Sequence, residues 1–331
     1  MIITQTPFRI TLGGGGTDLL SYYRRFGGFL ISAAIDKYVY ITVNRRSIDR
    51  AIWLSYSQIE KVEKVDDIKH ELIREALRAR WIDRSIEIHS ITELSSGTGL
   101  GSSGSFLVGL LNALSNFRHA PQTKAALAEE ACTLEIETLQ RAVGKQDQYI
   151  AAFGGIVCLE IDPDGEVTVT PLKVSRETVG ELETNVMMFY TGVQRSASAI
   201  LSTQKQKLEQ DDARVTEAMH AIKAIGLRTR TALEAGDTNA FGDMLHEHWE
   251  LKKQLSPDIS LTAVDELYAA CRQAGARGGK LIGAGGGGFF MLYADRNQRE
   301  LRELLRRAGY RELRWRFDWI GTRVIGNYMT Y

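Results

Sequence analysis

The stretch SSGTGLGSSG, residues 95–104, packs four glycines, four serines and a threonine into ten positions, and its reading decides the fold around it. A flexible linker would carry polar sequence on both sides. Here a strand-like run, SIEIHSI (85–91), leads in, and the apolar segment FLVGLLNALSNF (106–117) follows at once. The order is strand, glycine–serine loop, helix. Glycines let a backbone turn tightly and come close to a ligand, while the following helix presents unpaired N–H groups and the positive end of its dipole. Together these make an anion site. Serine hydroxyls add donors for phosphate oxygens or oxygen ligands for magnesium. The loop lacks the closing GK[ST] of a Walker motif and the downstream ribose-binding acid of a dinucleotide fingerprint. It reads as a phosphate loop of another kind; the competing explanation is glycines that only let the helix pack closely.

Outward from the loop, IITQTPFRITL (2–12), which runs into Gly13–Gly16, and YVYITVN (38–44) alternate apolar and polar residues and read as strands. PQTKAALAEEACTLEIETLQRAVG (121–144) reads as one helix, with Pro121 in its first turn and Gly144 as its C-terminal cap. GGIVCLEI (154–161) returns to strand before the turn DPDGE (162–166) and the run VTVTPL. Patterning fades over 175–185. After it come the strand VMMFYTG (186–192), charged helices near 203–235, 238–254 and 260–275, the glycine-rich strand entry KLIGAGGGGFFMLY (280–293), a helix near 297–308 and a last strand. The expected domains are 1–183 and 184–331, in an α+β architecture.

The 331 residues carry 41 Lys plus Arg against 41 Asp plus Glu, so the whole chain has no electrostatic reason to seek nucleic acid or an anionic membrane. The expected partners are small molecules, with a monomer or homodimer as the working form. Cys132, Cys158 and Cys271 are odd in number and outside any CxxC spacing, which argues against a disulfide framework or zinc site and for a reducing cytoplasm. The N-terminus has no charged region followed by an apolar one, and the apolar runs are short for a bilayer, so neither export nor anchoring is expected.

TGLGSSGS (98–105) resembles the central motif of the GHMP kinases. PFRITLGGGGTD (7–18) is similar to that superfamily's N-terminal substrate motif, KLIGAGGGGFFM (280–291) to its third motif, and GKQDQYIAAFGG (144–155) completes the set in order along nearly the whole chain. The resemblance implies a first domain like ribosomal protein S5 domain 2, a ferredoxin-like second domain, a cleft between them, and Mg-ATP as phosphoryl donor complex. Galactokinases place an acid and a histidine before Thr-Asp, where Gly15 and Gly16 stand here. GGGGTD, AAIDKYVYITVN (33–44) and GKQDQY together resemble the bacterial D-glycero-D-manno-heptose 7-phosphate kinases. That likeness implies phosphorylation of the anomeric C1 hydroxyl, giving a 1,7-bisphosphate for nucleotide-activated heptose. A kinase for L-fucose or a galactose-like sugar, and a catalytically silent sugar sensor, are the alternatives.

Phosphoryl transfer asks a protein for positioning, charge neutralisation and a partner for the attacking hydroxyl. The resemblance implies that Asp147 accepts or orients the hydroxyl proton, that Arg9 compensates charge beside it, and that Ser103 and Glu135, twelve residues before Asp147, hold magnesium. Gly97, Gly99, Leu100, Gly101, Ser102, Ser103, Gly104 and Ser105 would meet the nucleotide. Gly14, Gly15, Gly16, Thr17 and Asp18, with Gly285 and Gly286, would meet the sugar, the glycines leaving room for seven carbons. A distal phosphate on the sugar would need a cation, with Arg195 the first candidate and Lys145 or Lys173 next. His246 and His248 are two apart, which splits them between faces of a helix, so no metal role is assigned to either.

Overall fold

The computed structural model describes residues 1–95, 97–193, 197–210, 212–256, 259–260 and 262–329. Ile2–Gly13 (β1) and Gly28–Arg45 (β2) are apolar along most of their length and pair antiparallel, with register shifts at Pro7/Phe8 and Thr11/Gly13. β2 is long enough to serve two neighbours on its other side. Ile86–Thr92 (β5) pairs with its C-terminal half, and Ile156–Ile161 (β6) with its start. Ile52–Ser55 (β3) and Ile59–Val62 (β4) extend the sheet beyond β5, Val167–Pro171 (β7) extends it beyond β6, and Arg323–Asn327 (β12) lies outside β1.

The helix Ser102–Phe117 packs across β1 and β2, with Leu107, Val108, Leu110, Leu111 and Leu114 fully buried. Its closest approach is at Gly109. Thr4 Oγ1 donates to the Gly109 carbonyl at 2.9 Å, and a Cβ at Gly109 would stand 2.7 Å from Thr6 Oγ1.

The second sheet is built from Val186–Tyr190 (β8), Gly278–Leu281 (β9), Phe289–Tyr293 (β10) and Arg311–Leu313 (β11), in the order β11-β8-β10-β9 with every pair antiparallel. Helices fill the connections β8 to β9 and β10 to β11. This is the split β-α-β arrangement of ferredoxin-like folds, and the architecture is α+β. We propose 183/184 as the point where the chain passes from one sheet to the other. Because β12 pairs with β1, the C-terminal unit gives its last strand back to the first sheet.

Two expectations need correction. The run 121–144 is not one helix: the Thr123 side chain caps Lys124–Cys132, a π-helical turn covers Thr133–Thr138, and Gly144 leaves the helix to bridge Leu19. Residues 175–185, where patterning fades, form the helix Arg176–Asn185, capped by Ser175, which buries only Thr178 and Leu182 and so shows no clear stripe. Helix 203–235 is two, Ala197–Glu209 and Ala213–Glu234, the second started by the Asp212 carboxylate on the amides of Arg214 and Val215. The three cysteines are buried and unpaired, and among the described residues no helix is long and apolar enough to cross a membrane.

The contact at Gly109 yields a stability test. Gly109→Leu is expected to lower unfolding free energy by about 1–3 kcal/mol through overpacking, despite better helix propensity, because the Thr6 hydroxyl it meets is held by Thr322. Urea denaturation checks this through a lowered midpoint at unchanged slope.

Candidate active site between the two sheets

The Gly-Ser loop reaches its helix through a series of left-handed residues. Gly97, Gly99 and Gly101 have φ of 76°, 82° and 78°, a region open to glycine and costly for most side chains. No side chain caps the helix that begins at Ser102, so its first amides remain available to a ligand. The loop opens on a cavity of about 550 Å³ between the sheets. A larger depression of about 1150 Å³ lies elsewhere, beside Trp81, and one of about 640 Å³ beside Lys145 adjoins the cavity through Leu19, Arg141 and Val143, but the smaller cavity is where the glycine turns and charged groups converge.

Arg9 and Asp147 meet at its floor. Arg9 Nε and Nη2 each lie 2.7 Å from Asp147 Oδ1, Nη1 donates to the Gly99 carbonyl at 2.5 Å, and the Arg9 amide donates to the Leu100 carbonyl. β1 thus holds the loop and the carboxylate through one arginine. Asp147 lies in the first turn of the helix Gln146–Phe153 and keeps 29% of its side chain exposed, toward the cavity.

Of the residues expected to meet the nucleotide, Gly97, Gly99, Gly101, Ser102 and Ser103 line the cavity. Leu100, Gly104 and Ser105 do not. Leu100 is buried in the core, Gly104 lies against Asp147, and the Ser105 hydroxyl donates to the Pro7 carbonyl at 2.7 Å. Among residues expected to meet the sugar, Gly15, Gly16 and Asp18 line the cavity. Thr17 is fully buried with its hydroxyl between the carbonyls of Gly14 and Phe29, Gly14 packs on Phe29, and Gly285 and Gly286 pack on Ile259. Asp18 accepts the Gly16 and Gln146 amides at 3.1 Å each, tying the first motif to the Asp147 helix, and burial raises its pKa.

Arg195 lies outside the described residues. Lys145 is neutralised by Glu129 at 2.6 Å and the Gly165 carbonyl, and Lys173 is exposed away from the cavity. The cations that do line the cavity include Lys252 and Lys280, which sequence reasoning missed. Lys280 Nζ lies 3.3 Å from His248 Nδ1, and Lys252 Nζ donates to the carbonyls of Leu281 and Gly283. Burial, then Arg9, pushes Lys252 down to about 7; burial and the neighbouring cations push Lys280 and His248 well below their usual values. Gln146 and Thr11 were also missed. The Gln146 amide nitrogen donates to the hydroxyls of Thr11 and Ser32 beneath the cavity. Lys280 stood at the head of the quoted KLIGAGGGG run, and the spacing of His248 and Lys252 puts them on one helix face.

Ser103 and Glu135 are in direct contact, the Ser103 hydroxyl donating to Glu135 Oε1. Gln148 Nε2 donates to Oε2 at 2.6 Å, and Arg141 stands 3.5 Å away. Glu135 is 1% exposed on the π-helical turn and burial raises its pKa, while Gln148 Oε1 is buried without a partner among the described residues. The Ser103 hydroxyl and the Glu135 carboxylate are a pair of hard oxygen donors that fits magnesium.

The family pattern described as "GHMP kinases N terminal domain" matches residues 68–155, and that described as "GHMP kinases C terminal" matches 229–311. The chain is 31% identical over 322 residues to a D-glycero-alpha-D-manno-heptose 7-phosphate kinase of Campylobacter jejuni, covering 93% of this chain and 94% of that protein. A solved structure described as a D-glycero-D-manno-heptose 1-phosphate kinase from Bacteriodes thetaiotaomicron superposes with a TM-score of 0.80 at 26% identity, covering 99% of this chain and 100% of that one. An L-fucokinase/L-fucose-1-P guanylyltransferase of Bacteroides fragilis is 24% identical over 90% of this chain, which spans 35% of that longer protein.

The lysine environment makes a pH prediction. Above about pH 7 folded Lys252 is neutral, while the unfolded chain keeps that proton to about 10.5. The unfolded state then binds more protons, so stability rises with pH across this window, by at most ~1.4 kcal/mol per unit. Urea unfolding of wild type and Lys252→Met is expected to show this rise in their difference; a flat difference would show that burial and Arg9 do not hold Lys252 down.

Proposed function

The chain belongs to the GHMP kinases and is a phosphotransferase, and on that premise we propose that it moves the ATP γ-phosphoryl group to the C1 hydroxyl of D-glycero-D-manno-heptose 7-phosphate, giving the 1,7-bisphosphate. The observation that carries this reading is the Arg9–Asp147 pair, which stands in one cavity with the loop amides on one side and Gly15, Gly16 and Asp18 on the other. Both reactants thereby have a host within reach of one carboxylate.

In this mechanism the amides after Gly101, with the helix dipole behind them, hold the phosphate tail. The sugar lies over Gly15 and Gly16, where bare backbone leaves space. Asp147 takes or orients the C1 hydroxyl proton as the oxygen bonds to the γ-phosphorus and the bond to the β-bridging oxygen breaks, releasing ADP. Arg9 fixes the carboxylate and offsets charge beside the transferring group. Ser103 and Glu135 would hold magnesium, which supplies neutralisation of charge on the phosphate oxygens. The identity to the Campylobacter heptose 7-phosphate kinase supports the sugar assignment, and the fucokinase relative keeps L-fucose as the second reading. Arg9, Ser103 and Asp147 on the lining of one cavity, with Glu135 buried behind Ser103, speak against a sensor, which needs a pocket but no base.

ATP consumption over a sugar panel tests the substrate: heptose 7-phosphate is expected to turn over far faster than L-fucose or galactose, and the reverse order would remove it. Asp147→Asn is expected to lower kcat by about 100-fold or more in a variant that still unfolds cooperatively, and wild-type kcat in a folded variant would sink the assigned role. Glu135→Gln is expected to raise the magnesium concentration needed for half-maximal rate; an unaltered magnesium dependence would remove Glu135 as a ligand.

A further inference from the structure

Most cations buried around this cavity are matched by a carboxylate. Arg9 is held by Asp147, Arg141 bonds to Glu71 and Glu135, and Lys145, behind the wall, is held by Glu129. Lys252 and Lys280 are the exceptions: among the described residues neither ammonium has a carboxylate partner, and both line the cavity. Asp18 is the remaining carboxylate on the lining, and its oxygens are taken by the amides of Gly16 and Gln146. Lys280 is 2% exposed, as is His248 beside it. Burial without a counter-ion disfavours the charged form of both amines, and an anion entering the cavity restores it.

We propose that Lys252, Lys280 and His248 form the cradle for a phosphate monoester dianion already present on the sugar substrate, an assignment that rests on the sugar-phosphate reading above. His248 and Lys252 sit four residues apart on one face of the helix Thr238–Lys252, and Lys280 reaches the same place from β9. With the phosphate bound both lysines are ammonium groups, which only donate, so His248 Nδ1 accepts from Lys280 and the ring proton resides on Nε2. The trio thus offers two ammonium groups and an N–H donor, which matches a phosphate dianion in charge and in donor number. The phosphates of ATP have a separate host, the loop amides and the Ser103–Glu135 pair on the first sheet. The cradle is carried by the second sheet and its helix, and the loop by the first sheet and the helix from Ser102.

The test compares wild type, Lys252→Met and Lys280→Met on sugars with and without a phosphate on the terminal carbon, heptose 7-phosphate against heptose and mannose 6-phosphate against mannose. Loss of one charged contact is expected to raise KM for the phosphorylated sugars about 10- to 100-fold, with KM for ATP close to wild type and the preference for phosphorylated over plain sugar reduced to match. A rise in KM for ATP with the sugar-phosphate KM unmoved would overturn the proposal and assign the lysines to the γ-phosphate; no change in either would overturn it outright. Calorimetry of wild type keeps the proposal testable if the variants misfold. At pH 8, in two buffers of different ionisation enthalpy, sugar-phosphate binding is expected to take up a proton on Lys252, and binding without uptake overturns the assignment. Turnover of some other phosphorylated sugar with the lysine effect intact would remove heptose and leave the cradle standing. Wild-type turnover confined to plain sugars would remove both.

Discussion

The N-terminal turns of the helices Ser102–Phe117 and Gln146–Phe153 approach so closely that a Cβ at Gly104 would stand 2.7 Å from Asp147 Cβ and 3.1 Å from its carbonyl carbon. A Cβ at Gly101 would meet Arg9 Cγ at 3.1 Å and Asp147 Cγ at 3.2 Å. Those absent side chains let two helix starts face one cavity. The consequence is electrostatic as much as steric: two sets of first-turn amides, two dipoles and Arg9 raise the potential at one place, and Asp147 is the carboxylate set into it. A phosphate tail and a hydroxyl acceptor are then drawn to the same few ångströms by the backbone itself.

Sequence alone carried the parts of this arrangement that are local. The order strand, glycine loop, apolar helix is written in consecutive residues, and β5, the turn 97–101 and the helix from Ser102 follow it. The glycine run 13–16 and the residues around Asp147 were legible in the same way. What stayed hidden depends on partners far along the chain. The π-helical turn at Glu135 is fixed by Ser103, 32 residues away, and by Gln148, and no periodicity announces it. Thr17 reads as a ligand because it stands beside Asp18, yet its hydroxyl is consumed by the carbonyl of Phe29 across the β1–β2 pair. The second helix of the 203–235 run was concealed because a cap such as Asp212 is visible only once a break is suspected.

Charge shows the limit most clearly. Lys145, in the GKQDQY motif, was an obvious candidate for a substrate phosphate and is an internal strut between Glu129 and Gly165. Lys280 heads another motif and Lys252 ends a helix whose sequence suggests a solvated face, yet both point into the cavity. Whether a lysine is neutralised depends on which carboxylate the fold brings near, a tertiary fact. Composition gives the sum of charges and says nothing of where the unmatched ones lie.

The glycine-rich run 283–288 makes the same point about backbone. Only Gly285 and Gly286 of it were expected at the sugar, and a Cβ at Gly283 would meet the Gly99 backbone at 2.7 Å, while one at Gly99 would meet the Ile282 carbonyl oxygen at 2.5 Å. The two glycine motifs are pressed main chain against main chain, one from each sheet. Lys252 bonds to the Gly283 carbonyl on the same seam. A larger side chain on either strand of the seam would spread the sheets and move the loop amides away from Arg9, which itself holds Gly99. Glycine here secures the distance between the two halves, and with it the distance between the phosphate loop and the second-sheet lysines. Positioning of donor and acceptor and the packing of the two sheets are therefore one constraint, and a substitution in either motif acts on both.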